Sequence, residues 1–162
     1  MTPPIATIAP GEDVLWMLAA RKLVGTPEKV QGQLNPVVRE LFKSTRYPLD
    51  KLTPDTPWCA AFVCACLERS GVPSTRSAAA SSYLDWGEPL RELVHGCVVV
   101  LRRGLGGGKL MYHVAFGFRP HDAEHIDVLG GNQDNTVNVK TRALDDVIAM
   151  RWPAGVPFPA GA

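Results

Sequence analysis

The sequence predicts an α+β domain with N-terminal helices packed on one side of an antiparallel sheet. In the first half, apolar residues recur at helical spacing between capping and stop signals. In the second half, β-branched runs follow one another across short turns with no helix between them. Helices grouped ahead of consecutive strands place the helices on one face of the sheet. A chain of 162 residues, 46% hydrophobic and 20% charged, suffices for one core without staples. One domain therefore spans 1–162, with its core at about 12–152 and irregular termini at 1–10 and 153–162.

The first helix is expected over Glu12 to Val24. Val14, Leu15, Leu18 and Leu23 form its apolar stripe, acids stand at its start, Arg21-Lys22 near its end, and Gly25 at the stop. Thr26–Leu34 reads as a loop. Asn35-Pro36 opens a second helix as cap and first-turn proline, with Val37, Val38, Leu41 and Phe42 inward, and it stops before Tyr47-Pro48. The third starts at Thr56-Pro57-Trp58-Cys59, with Thr56 as cap and Pro57 in the first position. Phe62, Val63 and Leu67 form its apolar run, and Ser70-Gly71-Val72-Pro73 its stop. Ser77–Leu84 reads as a short helix closed by Asp85-Trp86-Gly87.

Strands are expected at Gly96–Leu101, Met111–Phe118, Glu124–Leu129, Thr136–Val139 and Val147–Trp152. Gly104–Gly108 is a loop, and its spacing fails the phosphate-loop pattern because Leu110 follows Lys109. Pro120-His121-Asp122 marks a turn, and Gly130-Gly131 breaks the third strand.

Composition excludes several functions. Net charge is +1 with scattered basic residues, so no nucleic-acid footprint is present. No apolar run reaches membrane-spanning length. Val14–Ala20 is too short, and follows acids rather than bases, to act as a secretory signal; synthesis in the cytoplasm is the expectation. Cys64, Cys66 and Cys97 read as reduced packing residues. No C-x₂₋₄-C pair with spaced histidines suggests a metal, so neither metal nor cofactor is expected.

Cys59 carries the chemistry. In the first turn of a helix it faces unpaired N–H groups and the positive end of the dipole, and both favour thiolate. A cysteine nucleophile needs a base, and the base needs a group that fixes its tautomer. His113 opens a strand after the glycine loop, at a rim position. His95 and His121 fall in loop or turn positions, and His125 on the partner strand. For the third group, Asn132, His125 and Asp127 are candidates. Asn132 is preferred because it lies past the Gly130-Gly131 break, where a loop can turn its carboxamide toward the cleft. Trp58, Trp86, Gln133 and Asp134 are expected to contact substrate.

These residues fall in blocks: Trp58-Cys59-Ala60-Ala61-Phe62-Val63, Tyr83-Leu84-Asp85-Trp86-Gly87, His113-Val114-Ala115-Phe116 and Val128-Leu129-Gly130-Gly131-Asn132-Gln133, with Ala20–Gly25 and Asn35-Pro36 upstream. In that order, from about Leu15 to Trp152, the chain resembles the papain-like cysteine peptidases and amidases of bacterial cell walls, the NlpC and CHAP group, in a phage-associated branch. The resemblance implies a papain-like fold with Cys59 as nucleophile and His113 as base. It implies cleavage of a peptide or amide bond in peptidoglycan, by a lysin or a delivered antibacterial toxin. A monomer is expected, with peptidoglycan as partner and a cognate inhibitor or delivery machinery beside it, acting in the periplasm or cell wall after release or injection. Two departures stand out. Gly130 replaces the glutamate of the CHAP Glu-x-Asn pair, and Cys97 stands where an aspartate is expected. Other thiol-dependent acyl transfer, as by a deamidase or transpeptidase, and non-catalytic wall binding or assembly are the alternatives.

Overall fold

In the computed structural model, which describes residues 13–159, the chain is a mixed α+β domain: three α-helices and a six-stranded antiparallel sheet. The expected irregular segment 1–10 and the last residues of the tail lie outside the described residues.

The first helix, α1 (Leu15–Lys22), is shorter than expected, and its buried face is shifted. Trp16, Met17 and Ala20 go inward with Val14, while Leu15 and Leu18 are each 42% exposed. Both stripes are apolar, and side-chain partners decide between them. The Trp16 indole donates to the Gly96 carbonyl at 2.7 Å and meets Trp152 edge-on, a contact that Leu15 cannot make. Thr26–Leu34 is not all loop, since β1 (Lys29–Val30) and β2 (Gln33–Leu34) form a hairpin turned by Gln31 and Gly32 at positive φ.

Helix α2 (Pro36–Leu41) begins as its local chemistry dictates. The Asn35 side chain accepts from the Val37 amide, and Pro36 takes the first turn. Helix α3 (Cys59–Arg69) is buried from Cys59 through Leu67 and forms the centre of the core. Its cap differs from expectation. Trp58, not Thr56, is the N-cap, with no side-chain acceptor, while the Thr56 hydroxyl accepts from the Thr53 amide. At the other end, Gly71 at φ +77° turns the chain, and the Val72 amide returns to the Leu67 carbonyl. Ala80–Tyr83 forms a 3₁₀ turn rather than an α-helix.

The sheet contains β3 (Glu88–Pro89), β4 (Val98–Gly106), β5 (Lys109–Pro120), β6 (His125–Gln133), β7 (Thr136–Ala143) and β8 (Val147–Trp152), in spatial order β3-β8-β4-β5-β6-β7. Several strands exceed their expected bounds. The glycine stretch is not a free loop but the arm of the β4–β5 hairpin, turned at Gly107-Gly108. Gly130-Gly131 does not end β6, which continues to Gln133. One face of the sheet carries α3, where Phe62 meets Phe116 with ring centroids 6.0 Å apart. Among the described residues no helix is long and apolar enough to cross a membrane.

Candidate active site

The end of the β5–β6 pairing positions the candidate groups. Pairing of these strands runs from Pro120↔Ile126 to Phe116↔Leu129, and the β6–β7 register then shifts between Gly130 and Gln133. Toward His113 the backbone pairing ends and side chains bridge the two strands instead, Ala115 against Gly130 and His113 to Gln133. Glycine is required at two points here. A Cβ on Gly131 would lie 2.8 Å from both the Phe62 Cβ and the Trp58 ring. One on Gly130 would lie 2.9 Å from both the Ala115 Cβ and Gln133 Oε1. Side chains of this size cannot be inserted without moving the helix or the carboxamide. The glutamate expected at position 130 therefore has no room.

Cys59 is the first residue of α3 and is 4% exposed. Burial raises its thiol above the ordinary pKa. The Val114 amide, the Arg103 guanidinium and the amides of Ala60 and Cys59 itself all oppose that rise. Desolvation outweighs the helix start, so the resting sulfur is a neutral thiol rather than the thiolate expected from position alone.

His113 neighbours Val114 and is also 4% exposed. Strand alternation places Val114 and Phe116 toward α3, and His113 and Ala115 on the face shared with Gly130 and Gln133. Burial pulls the imidazole down to about 4; the Gln133 bond opposes this, and Arg142, Arg103 and Lys140 add to it. Histidine too is therefore neutral at pH 7. Its partner is Gln133, with His113 Nε2 and Gln133 Oε1 3.0 Å apart.

The tautomer follows from the rest of the carboxamide. Gln133 Nε2 donates to the Asn138 carbonyl (2.9 Å), to Asn138 Oδ1 (3.0 Å) and, at 3.4 Å, to the Val128 carbonyl. Those acceptors fix the amide nitrogen, so Oε1 must face His113, and Nε2 must carry the proton. Nδ1 keeps the lone pair, the atom a base uses. The imidazole and the Cys59 sulfur are not hydrogen-bonded to each other in this resting arrangement, though both stand beside the same stretch of β5 and both feel Arg103.

The expected third group is thus corrected. Asn132 lines the cleft at φ +56° but does not hold His113; Gln133, expected at the substrate, does. Asp134 lines the same cleft, with its charge engaged by Lys140 at 2.9 Å. His125 and Asp127 lie elsewhere. His125 pairs with Asp122 at 2.8 Å. Asp127 accepts from Thr141 at 2.7 Å and pairs with Arg119 at 2.8 Å, and these two contacts hold its carboxyl below the ordinary range.

Neither tryptophan reaches the cleft. Trp58 is fully buried and donates to Glu28 Oε1 at 3.2 Å, and the close contact at Gly131 explains why it cannot turn outward. Trp86 packs edge-on against Tyr83 and donates to the Pro73 carbonyl. Cys64, Cys66 and Cys97 are free, fully buried thiols. Cys97 faces Gly117 beside Leu93 and Val99, and burial pushes its thiol up to about 11 although the Val94, Gly117 and Cys97 backbone opposes the rise.

The cleft itself is about 320 Å³, lined by Arg103, His113, Asn132, Gln133, Asp134, Asn135, Lys140 and Arg142. Sequence reasoning missed its basic wall. The signal was the alternation Asn138-x-Lys140-x-Arg142, which pairs opposite Gly130, Val128 and Ile126 and so shares one face. Among the described residues no group of three or more His, Cys, Asp or Glu side chains could hold a metal. No family model, curated protein or solved structure matches the chain.

Proposed function

We propose that the chain is a cysteine-dependent amide hydrolase of the papain-like NlpC/CHAP kind, cutting a peptide or amide bond of peptidoglycan. The observation that carries this reading is the placement of Cys59, at the start of α3 with its sulfur against the Val114 amide, beside the β5 residue preceding Val114, a neutral His113 whose tautomer Gln133 fixes. The thiol and the imidazole make no hydrogen bond at rest, so the reading requires them to close on each other when substrate binds.

In this reading His113 Nδ1 takes the thiol proton as the Cys59 sulfur attacks the scissile carbonyl, and returns it to the leaving amine. An acyl-enzyme results, and water attack assisted by the same imidazole releases the acid. Because both groups start neutral, proton transfer accompanies attack rather than preceding it. Unpaired N–H groups at the start of α3, including that of Cys59, can hold the developing oxyanion, an effect worth about 3–4 kcal/mol per donor. Gln133 keeps the ring oriented and stays neutral, the part an asparagine plays in papain-type sites. Peptidoglycan would be met in the periplasm or cell wall, by a lysin or a delivered toxin with a cognate inhibitor in its producer.

The test is digestion of purified sacculi with mass spectrometry of the fragments. Wild type is expected to release fragments with one new amine and one new carboxyl terminus. Cys59→Ala is expected to release none while keeping its melting temperature. Cys64→Ala and Cys66→Ala should retain activity, with at most packing losses. Full digestion by the Cys59 variant would overturn the mechanism.

A further inference from the structure

Two arginines of the cleft have no role in the mechanism above. Arg103 leaves β4 where the β4–β5 register shifts between Arg102 and Gly104, an irregularity that re-aims a side chain. Arg142 reaches the same cleft from β7. Arg21 and Arg119 each sit 2.8 Å from a carboxylate, whereas neither Arg103 nor Arg142 makes an ion pair among the described residues. Arg142 spends one Nη on the Arg102 carbonyl at 3.2 Å and keeps its other donors. The remaining cation, Lys140, is matched to Asp134, the cleft's single carboxylate. His113 adds no charge while neutral. The wall therefore presents two unmatched guanidinium groups, and both act on the buried imidazole beside them.

We propose that Arg103 and Arg142 form a carboxylate-binding subsite in the cleft that His113 lines, which selects substrates bearing a free carboxylate near the scissile amide. This rests on the amide-hydrolase reading. A guanidinium matches a carboxylate through two parallel N–H donors, a stronger and more directional pairing than a lysine gives. A cleft of about 320 Å³ has room for one or two amino-acid residues. Stem peptides of peptidoglycan carry such carboxylates on D-glutamate and diaminopimelate, and amidation of those groups removes the charge without changing the backbone.

The experiment separates binding from turnover. Cys59→Ala protein is titrated calorimetrically with the tripeptide L-Ala-γ-D-Glu-diaminopimelate and with the same peptide carrying amidated carboxylates. The free acid is expected to bind about tenfold or more tightly. Adding Arg103→Gln and Arg142→Gln should abolish that preference and leave the affinity for the amidated peptide unchanged. Equal affinity for the two peptides, equal losses on both in the arginine variant, or no saturable binding of either would overturn the subsite. Carboxylate-dependent binding without hydrolysis of the free acid by wild type would overturn the hydrolase reading and leave the subsite standing.

Discussion

The Gln133 carboxamide has no freedom to flip, because its nitrogen already serves Asn138 and Val128, and this constraint makes the His113 lone pair available. Gln133→Ala should therefore lower kcat by about 100-fold or more, as loss of a tautomer-fixing group does in related triads. Asn132→Ala should stay within about threefold; steady-state kinetics on sacculus fragments decide between them. A nitrogen-15 spectrum should place the wild-type proton on Nε2. The burial that lowers His113 to about 4 also gives stability a pH signature. Between the ordinary 6.5 and about 4 the unfolded chain binds a proton that the folded chain does not. Stability is accordingly full above about 6.5 and falls as pH drops toward about 4, by about 3 kcal/mol in all. Melting curves from pH 7 to pH 4 should show that loss, and His113→Gln should flatten it. Deprotonation of the base places the acid limb of kcat/KM near pH 4 rather than 6.5.

At the level of single elements, local chemistry was readable and long-range contact was not. Asn35-Pro36 starts α2 and Gly71 ends α3 because both signals act within a few residues of backbone. Gly130-Gly131 looked like a break because glycine weakens a strand on its own account. Its reason is non-local: one glycine admits the Gln133 side chain, and the next admits Phe62 and Trp58 from a helix some seventy residues earlier in the chain. The same blindness misplaced the third site residue. Asn132 and Gln133 are adjacent, and only the register shift in β6 turns one to the rim and the other to His113. Trp58 was read as a cleft residue from its place next to Cys59, yet its indole is committed to Glu28. Gly131→Ala tests the packing argument. It should destabilise by about 1–3 kcal/mol and lower activity with it, measured by denaturant midpoint and sacculus digestion.

For the whole molecule, helices followed by strands pointed to the α+β class, while the side-chain bridges past the end of the β5–β6 pairing and the basic β7 wall needed three dimensions. Assembly of the site from α3, β5 and β6, with no metal-ligating cluster among the described residues, bears on inhibition. A chelator should leave digestion unchanged. A thiol alkylator should remove it slowly and through a single adduct, because Cys64, Cys66 and Cys97 are fully covered while Cys59 is 4% exposed and held as a neutral thiol. Intact-mass measurement should find a single adduct on Cys59, and zinc-reversible loss on chelation would contradict the thiol mechanism.

Covering the Cys59 sulfur has a further consequence, in redox terms. A thiolate kept exposed at a helix start is the form that peroxide converts to sulfenic acid, and beyond that irreversibly. Here the sulfur waits as a neutral, covered thiol, and in the proposed mechanism it is activated only when a carbonyl and the His113 lone pair are both in place. Such a nucleophile tolerates an oxidising compartment between turnovers. Incubation with millimolar peroxide should leave most of the activity intact; rapid loss with a sulfenic acid adduct on Cys59 would show the sulfur to be uncovered.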